Sequence, residues 1–286
     1  MDISLGILFG ILATISWGTA DFFVARSVRK ASVFKTFLWS QIIGAVLFII
    51  IFSIFFKFPI LSLTTIGVIL ISAFLSTIAY LSFYKGLQAG KVSVISPIAA
   101  CWVIVALILS ISFLNESLTA IQGIGVALAI IGAILTSFKL HELLKLKLKN
   151  AAKGIKYALI AVFGWGISFV LIDVLVSELK WFLPFFFMKI AVVLYLLLYS
   201  GAKKSNISFP KNVALFIVII GVLEVIAFTS YGVGINSEHT AIVAPITAAF
   251  PAVTVILARI FLKEKLEINQ KLGIVAVLIG LVLLSL

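Results

Sequence analysis

Shifted by 148 residues, the chain overlays itself without a gap. Trp17-Gly18 falls on Trp165-Gly166, Gly6 on Gly154, Gly86 on Gly234, Pro97 on Pro245 and Glu116 on Glu264. Farther along, Gln122, Gly125 and Gly132 fall on Gln270, Gly273 and Gly280. Apolar composition produces chance matches among Leu, Ile, Val and Ala, but it does not align Pro, Glu and Gln in one register. A fixed period over the whole chain marks a duplicated unit. The fold must then be built twice, from residues 5–137 and 153–285, joined by a basic linker over 138–152.

Each unit is too apolar for water. Hydrophobic residues make up 63% of the chain and charged ones 11%, with a mean hydropathy of +1.31. Soluble domains are roughly half apolar and about a quarter charged. A bilayer core takes about 20 apolar residues per helix. Ten such runs are readable, near 4–24, 33–56, 62–84, 92–112, 118–137, 154–177, 182–200, 212–234, 240–262 and 267–286. The reading is an all-α, multi-pass integral membrane protein of the cell membrane. The first run has the length of a signal peptide but lacks a basic leader region, and its Trp17-Gly18 recurs deep in the chain, so it is kept as a span. The linker Lys139–Lys149 is basic and amphipathic and is expected on the cytoplasmic membrane surface.

Five spans per unit is an odd number, so the second unit enters the membrane inverted. The charges agree. If loops 1–2, 3–4, 5–6, 7–8 and 9–10 share one side, that side holds 19 of the 22 Lys and Arg. Loop 1–2 carries Arg26, Arg29, Lys30 and Lys35, whereas its equivalent, loop 6–7, has only Lys180. The positive-inside rule makes the basic loops cytoplasmic and turns both termini outward. The net charge of +12 is thereby topology, and nucleic acid is not a partner. Inverted repeats around a midplane site are the architecture of many secondary transporters.

The chain also resembles a family. An early Trp-Gly in each half, a Pro in the fourth span of each, and Phe-Leu-Asn-Glu (113–116) or Phe-Leu-Lys-Glu (261–264) followed by Gln-x-x-Gly resemble the EamA family of the drug/metabolite transporter superfamily. The resemblance covers 5–137 and 153–285. It implies a proton-coupled or exchange carrier, often an exporter of amino acids or other small metabolites, with a central cavity between the halves. Two features depart from the family pattern. The corners at Asn115-Glu116 and Lys263-Glu264 lack the usual Gly-Glu-Arg, and family members are commonly drawn with cytoplasmic termini.

Polar groups at membrane depth are costly and are functional candidates. Glu224 lies near the middle of span 8, about 15 Å from either surface at 1.5 Å rise per residue, and is the proton-coupling candidate. Lys189 in span 7 is its geometric partner, and Gln41 is the repeat equivalent of Lys189. Glu224, Phe228 and Tyr231 share one helix face. Tyr80 stands on the matching face of span 3, with Tyr84 beside it. Trp17 and Trp165 add one large ring per half, and Trp17 shares a face with Asp21. These are the candidate lining of an aromatic, weakly polar substrate cavity; the alternative is that the rings pack between helices or form interface belts. Pro97 and Pro245 are expected to begin spans 4 and 9, and Pro251 to kink span 9, where Thr247 offers its hydroxyl to the freed backbone. All three are candidate hinges, with simple helix starts as the alternative for the first two. The recurring glycines 125, 132, 273 and 280 read as close helix contacts.

No HExxH, GxSxG or P-loop occurs, and one cysteine with two histidines offers no zinc ligand set. No enzyme activity, metal or cofactor is expected. The expected function is secondary transport of a small organic molecule by alternating access, by a monomer or homodimer. The rivals are an uncoupled facilitated pathway and a non-transporting assembly or receptor protein that uses its Gly faces to bind a partner.

Overall fold

The computed structural model describes residues 4–89, 95, 98–136, 148–262 and 267–284. All regular secondary structure among them is helical: α1 (Leu5–Ser27), α2 (Val33–Phe55), α3 (Leu63–Ala89), α4 (Trp102–Phe113), α5 (Ala120–Thr136), α6 (Leu148–Leu179), α7 (Leu183–Lys203), α8 (Ala214–Ser237), α9 (Thr240–Thr247), α10 (Phe250–Leu262) and α11 (Ile268–Leu284), with a 3-10 turn at Lys211–Val213. Six helical segments are long and apolar enough to cross a bilayer, and the apolar segments Ile98–Phe113, Ala120–Leu135, Thr240–Thr254 and Ile268–Leu284 are shorter. Large apolar side chains such as Ile50, Phe163, Leu198 and Leu215 stand exposed on the outside. Backbone polar groups are satisfied within the helices, so such a surface suits lipid.

Hydroxyl caps start several helices. Ser4 Oγ accepts from Ile7 N (3.2 Å) and Ser32 Oγ from Lys35 N (3.1 Å). The paired glutamines begin α5 and α11. Thr119 N donates to Gln122 Oε1 (3.0 Å) while Gln122 N donates to Thr119 Oγ1 (3.2 Å), a capping box. At the equivalent place Glu267 N donates to Gln270 Oε1 (3.1 Å).

Packing is reciprocal between the halves. α1 lies on α8 through Gly6 and Gly234, and α6 lies on α3 through Gly154 and Gly86, the equivalent four positions. α5 crosses α11 so closely that a Cβ on Gly132 would lie 2.7 Å from Gly273 O, and one on Gly280 2.7 Å from Gly125 O. The small faces read from sequence as helix contacts thus meet each other inside one chain. Lateral bonds tie the halves together. Thr254 Oγ1 donates to Gly18 O (2.8 Å), Thr14 Oγ1 to Ile246 O (2.8 Å) and Ser168 Oγ to Ser72 O (2.9 Å).

Three expectations need correction or placement. The ninth apolar run is two helices, α9 and α10, broken at Ala248-Ala249. Pro251 is the second residue of α10, and its missing N–H falls opposite Thr247, so the run is interrupted in the turn before it, where a proline kink acts. Pro245 lies inside α9, not at its start, and Pro97 lies outside the described residues. α6 begins at Leu148, within the presumed linker, while 137–147 lie outside the described residues.

Candidate functional site

Three polar side chains meet in the apolar interior. Gly221 lets α8 approach α2, since a Cβ there would stand 3.0 Å from Ser40 O. One turn later Glu224 meets Gln41, whose Nε2 donates to Glu224 Oε2 at 2.6 Å. Lys189 Nζ on α7 donates to the same oxygen at 2.9 Å and to Gln41 Oε1 at 2.7 Å. All three are at most 2% exposed. The ammonium also sits 4.7 Å from the Phe228 ring centroid, and Gly44 leaves α2 bare beside it. Gln41 and Lys189 occupy equivalent repeat positions and bond to each other, so α2 and α7 meet at matching places. Two charges removed from water cost several kcal/mol each, and only complete pairing offsets this. Here the pairing is closed on three sides.

Beside this triad is a small cavity of about 30 Å³, room for roughly two waters, lined by Trp17, Asp21, Tyr80, Trp102, Trp165, Phe169 and Phe250. Six of these seven are equivalent pairs: Trp17 with Trp165, Trp102 with Phe250, and Asp21 with Phe169. The Trp-Gly dipeptides explain how the walls form. A Cβ on Gly18 would lie 2.5 Å from Phe250 O, and one on Gly166 3.0 Å from Trp102 O. Each bare glycine lets α1 or α6 come against the opposing span where its wall residue stands. The Trp17 and Trp165 indole N–H groups are buried without a hydrogen-bond partner.

A third arrangement stands where α9 begins. Asn115 takes φ 55°, a left-handed conformation that Gly fills freely and Asn tolerates. The turn brings Glu116 to the N-terminus of α9, and its two oxygens accept from Thr240 N and Ala241 N, both at 2.8 Å. Thr240 Oγ1 donates to Asp173 Oδ2 at 2.8 Å. His239 Nδ1 is 3.8 Å from Glu116 Oε1 but half exposed. A carboxylate on free N–H groups at a helix start is favoured by both hydrogen bonding and the helix dipole.

The profile of the EamA-like transporter family matches residues 4–138 and again residues 152–286. The chain belongs to this family. It is thereby a multi-pass membrane transporter of the drug/metabolite transporter superfamily. A protein of Archaeoglobus fulgidus, named only as an uncharacterized transporter, is 26% identical over 289 residues, 99% of this chain and 98% of that protein. An uncharacterized protein of Methanocaldococcus jannaschii is 34% identical over 131 residues, 46% of this chain but 95% of its own length. That relative has the length of one repeat. A solved crystal structure superposes with a TM-score of 0.80 over 100% of this chain and 99% of its own, at 15% identity, and shares the fold.

In this EamA-family chain the candidates divide into groups. Glu224, Lys189 and Gln41 form the triad. Trp17, Trp165 and Tyr80 line the cavity. Phe228 lies beneath Lys189 and edge-on to Trp17 (centroids 5.3 Å). Tyr231 packs against Trp17 and Phe169 (5.7 and 5.0 Å), with its hydroxyl unpartnered. Tyr84 packs against Phe37 at 5.5 Å. Thr247 donates its hydroxyl to Ala244 O (2.8 Å), a bond within its own turn. Sequence reasoning put Asp21 on the face of Trp17 but missed Trp102, Phe169 and Phe250 as walls and Glu116 as a cap. The repeat itself held the signal, since Trp102 and Phe250 are equivalent and Asp21 stands one turn from Trp17.

Proposed function

We propose that this EamA-family protein is a secondary transporter, an exporter of a small organic metabolite such as an amino acid or amphipathic compound. It works by alternating access and is coupled to protons through Glu224. The carrying observation is the cavity walled by equivalent residues of both halves. Six long helical segments with the four shorter apolar ones make ten spans, and the reciprocal glycine contacts support two inverted units. In that arrangement the cavity lies between the units, and exchanging their conformations moves its opening from one face of the membrane to the other. At about 30 Å³ the cavity is too small for a metabolite until the halves part.

The triad gives the coupling a physical basis. Glu224 holds Lys189 and Gln41 and so ties α8 to α2 and α7. Protonating its carboxyl removes the ion pair and weakens that tie, which lets one conformation give way to the other. A proton then changes the relative stability of two states, which is what coupling requires. The Gly faces that a partner-binding protein would use are consumed within the chain, which favours transport over assembly.

The test is reconstitution into liposomes with Glu224→Gln. Accumulation driven by a pH gradient should be lost, while counterflow exchange stays within about two-fold of wild type, because a gradient-free exchange needs no protonation. Accumulation at the wild-type rate would make Glu224 purely structural.

A further inference from the structure

Of the three equivalent pairs in the cavity wall, two are aromatic on both sides and one is not. Opposite Phe169 stands Asp21, and it is the only charged wall residue. Among the described residues no cation and no hydrogen-bond donor is paired with Asp21. The buried Lys189 ammonium is spent on Glu224 and Gln41. Around the carboxylate stand three indoles, a phenol and two phenyl rings. The rings also hold one another in place: Trp165 lies 4.9 Å edge-on to Tyr80, and Trp102 4.7 Å from Phe169.

An uncompensated carboxylate among aromatic faces is a site for one chemical class. The ring faces carry negative potential and attract a cation, most strongly when it is desolvated, and the carboxylate supplies the opposing charge. A carboxylate-bearing anion meets repulsion there and no free cation to receive it. We infer that the transported substrate is an organic ammonium ion, bound with its nitrogen at Asp21 and its carbon substituents against Trp17, Trp165 and Trp102. Trp17 and Trp165 also carry the two unpartnered indole N–H groups. Indoles that line the cavity with unpaired donors suit a ligand that carries an acceptor, a hydroxyl or carbonyl oxygen, beside its charged nitrogen. This assignment rests on the transporter reading, since a cavity holding roughly two waters admits such an ion only when the halves part.

The probes are choline and its uncharged carbon isostere, 3,3-dimethylbutan-1-ol, with leucine and glutamate for comparison. They are added to the purified full-length protein, and binding is read by tryptophan fluorescence and by the shift in unfolding temperature that a native-state ligand produces. Choline should bind on the order of 10- to 100-fold more tightly than the isostere, the preference expected for a desolvated charge pair with aromatic faces. Asp21→Asn should erase that preference and Asp21→Glu keep it. Because the isostere comparison is made on the wild-type protein, it stands even if a variant folds poorly. Equal binding of both, absence of choline binding, or full preference in Asp21→Asn overturns the assignment. Liposomes distinguish the two levels of the argument. Exchange of leucine or glutamate without choline binding refutes the ammonium site and leaves transport standing. Choline binding without exchange of any probe keeps the site and refutes transport.

Discussion

Breaking the triad one charge at a time should be far more damaging than removing both. Glu224→Leu leaves the Lys189 ammonium at 1% exposure with only Gln41 Oε1 and the Phe228 face. Removing one partner of a buried pair costs about 3–5 kcal/mol, because the other charge stays buried and uncompensated. Lys189→Met leaves the Glu224 carboxylate with only Gln41 Nε2, 2.6 Å away, at a similar cost. In the double variant no buried charge remains. What remains is the Gln41 amide with its bonds unmade, a penalty of about 1–3 kcal/mol. The two single losses would sum to about 6–10 kcal/mol if independent, so the cycle should show a coupling of at least about 3 kcal/mol. Adding Gln41→Leu should recover stability further. The measurement is equilibrium unfolding of the four proteins of the cycle and the triple variant in one detergent, followed by helical circular dichroism. Additive losses, or single variants that each lose under about 1 kcal/mol, would refute the closed triad and return Lys189 to a solvated or lipid-interface position.

Other contacts give separate tests. Glu116→Ala removes both acceptors from the start of α9 and should cost about 1–2 kcal/mol, with hydrogen exchange at Thr240 and Ala241 rising first; unchanged protection there would show that the cap is dispensable. Gly132→Val forces side-chain atoms against Gly273 O and Val277 N, each 2.7 Å from an ideal Cβ. It should cost about 1–3 kcal/mol or more, whereas Gly123→Ala, with nothing within 4 Å, should be silent in the same thermal unfolding assay.

Much of this architecture is legible in one dimension. Apolar run length against bilayer thickness fixes the class, and the duplicated register of Pro, Glu and Gln fixes the repeat. The alternation of basic loops gives the expected inversion. Glu224 and Lys189 stand out in sequence because charge inside an apolar run is rare, and their membrane depths match closely enough for a pair to be expected. The same one-dimensional reasoning fails for Asp21, which sits toward the end of its run and looks like any interfacial acid. It places the interruption of span 9 at Pro251 but does not show that two turn residues, Ala248-Ala249, split the run into separate helices.

What only the tertiary structure decided is which equivalent residues meet across the repeat. Gln41 bonds to Lys189, 148 residues away, and Asp21 faces the same cavity as its counterpart Phe169, because helix packing brings these matched positions together. A sequence lists pairs of equivalent positions, but most such pairs lie far apart in space. Only helix packing, governed by where bare glycines let backbones close to within a Cβ's reach, selects the few that touch. The choice between a paired charge and an unpaired one follows from that packing, and it leaves Glu224 held in a closed triad and Asp21 alone among the rings.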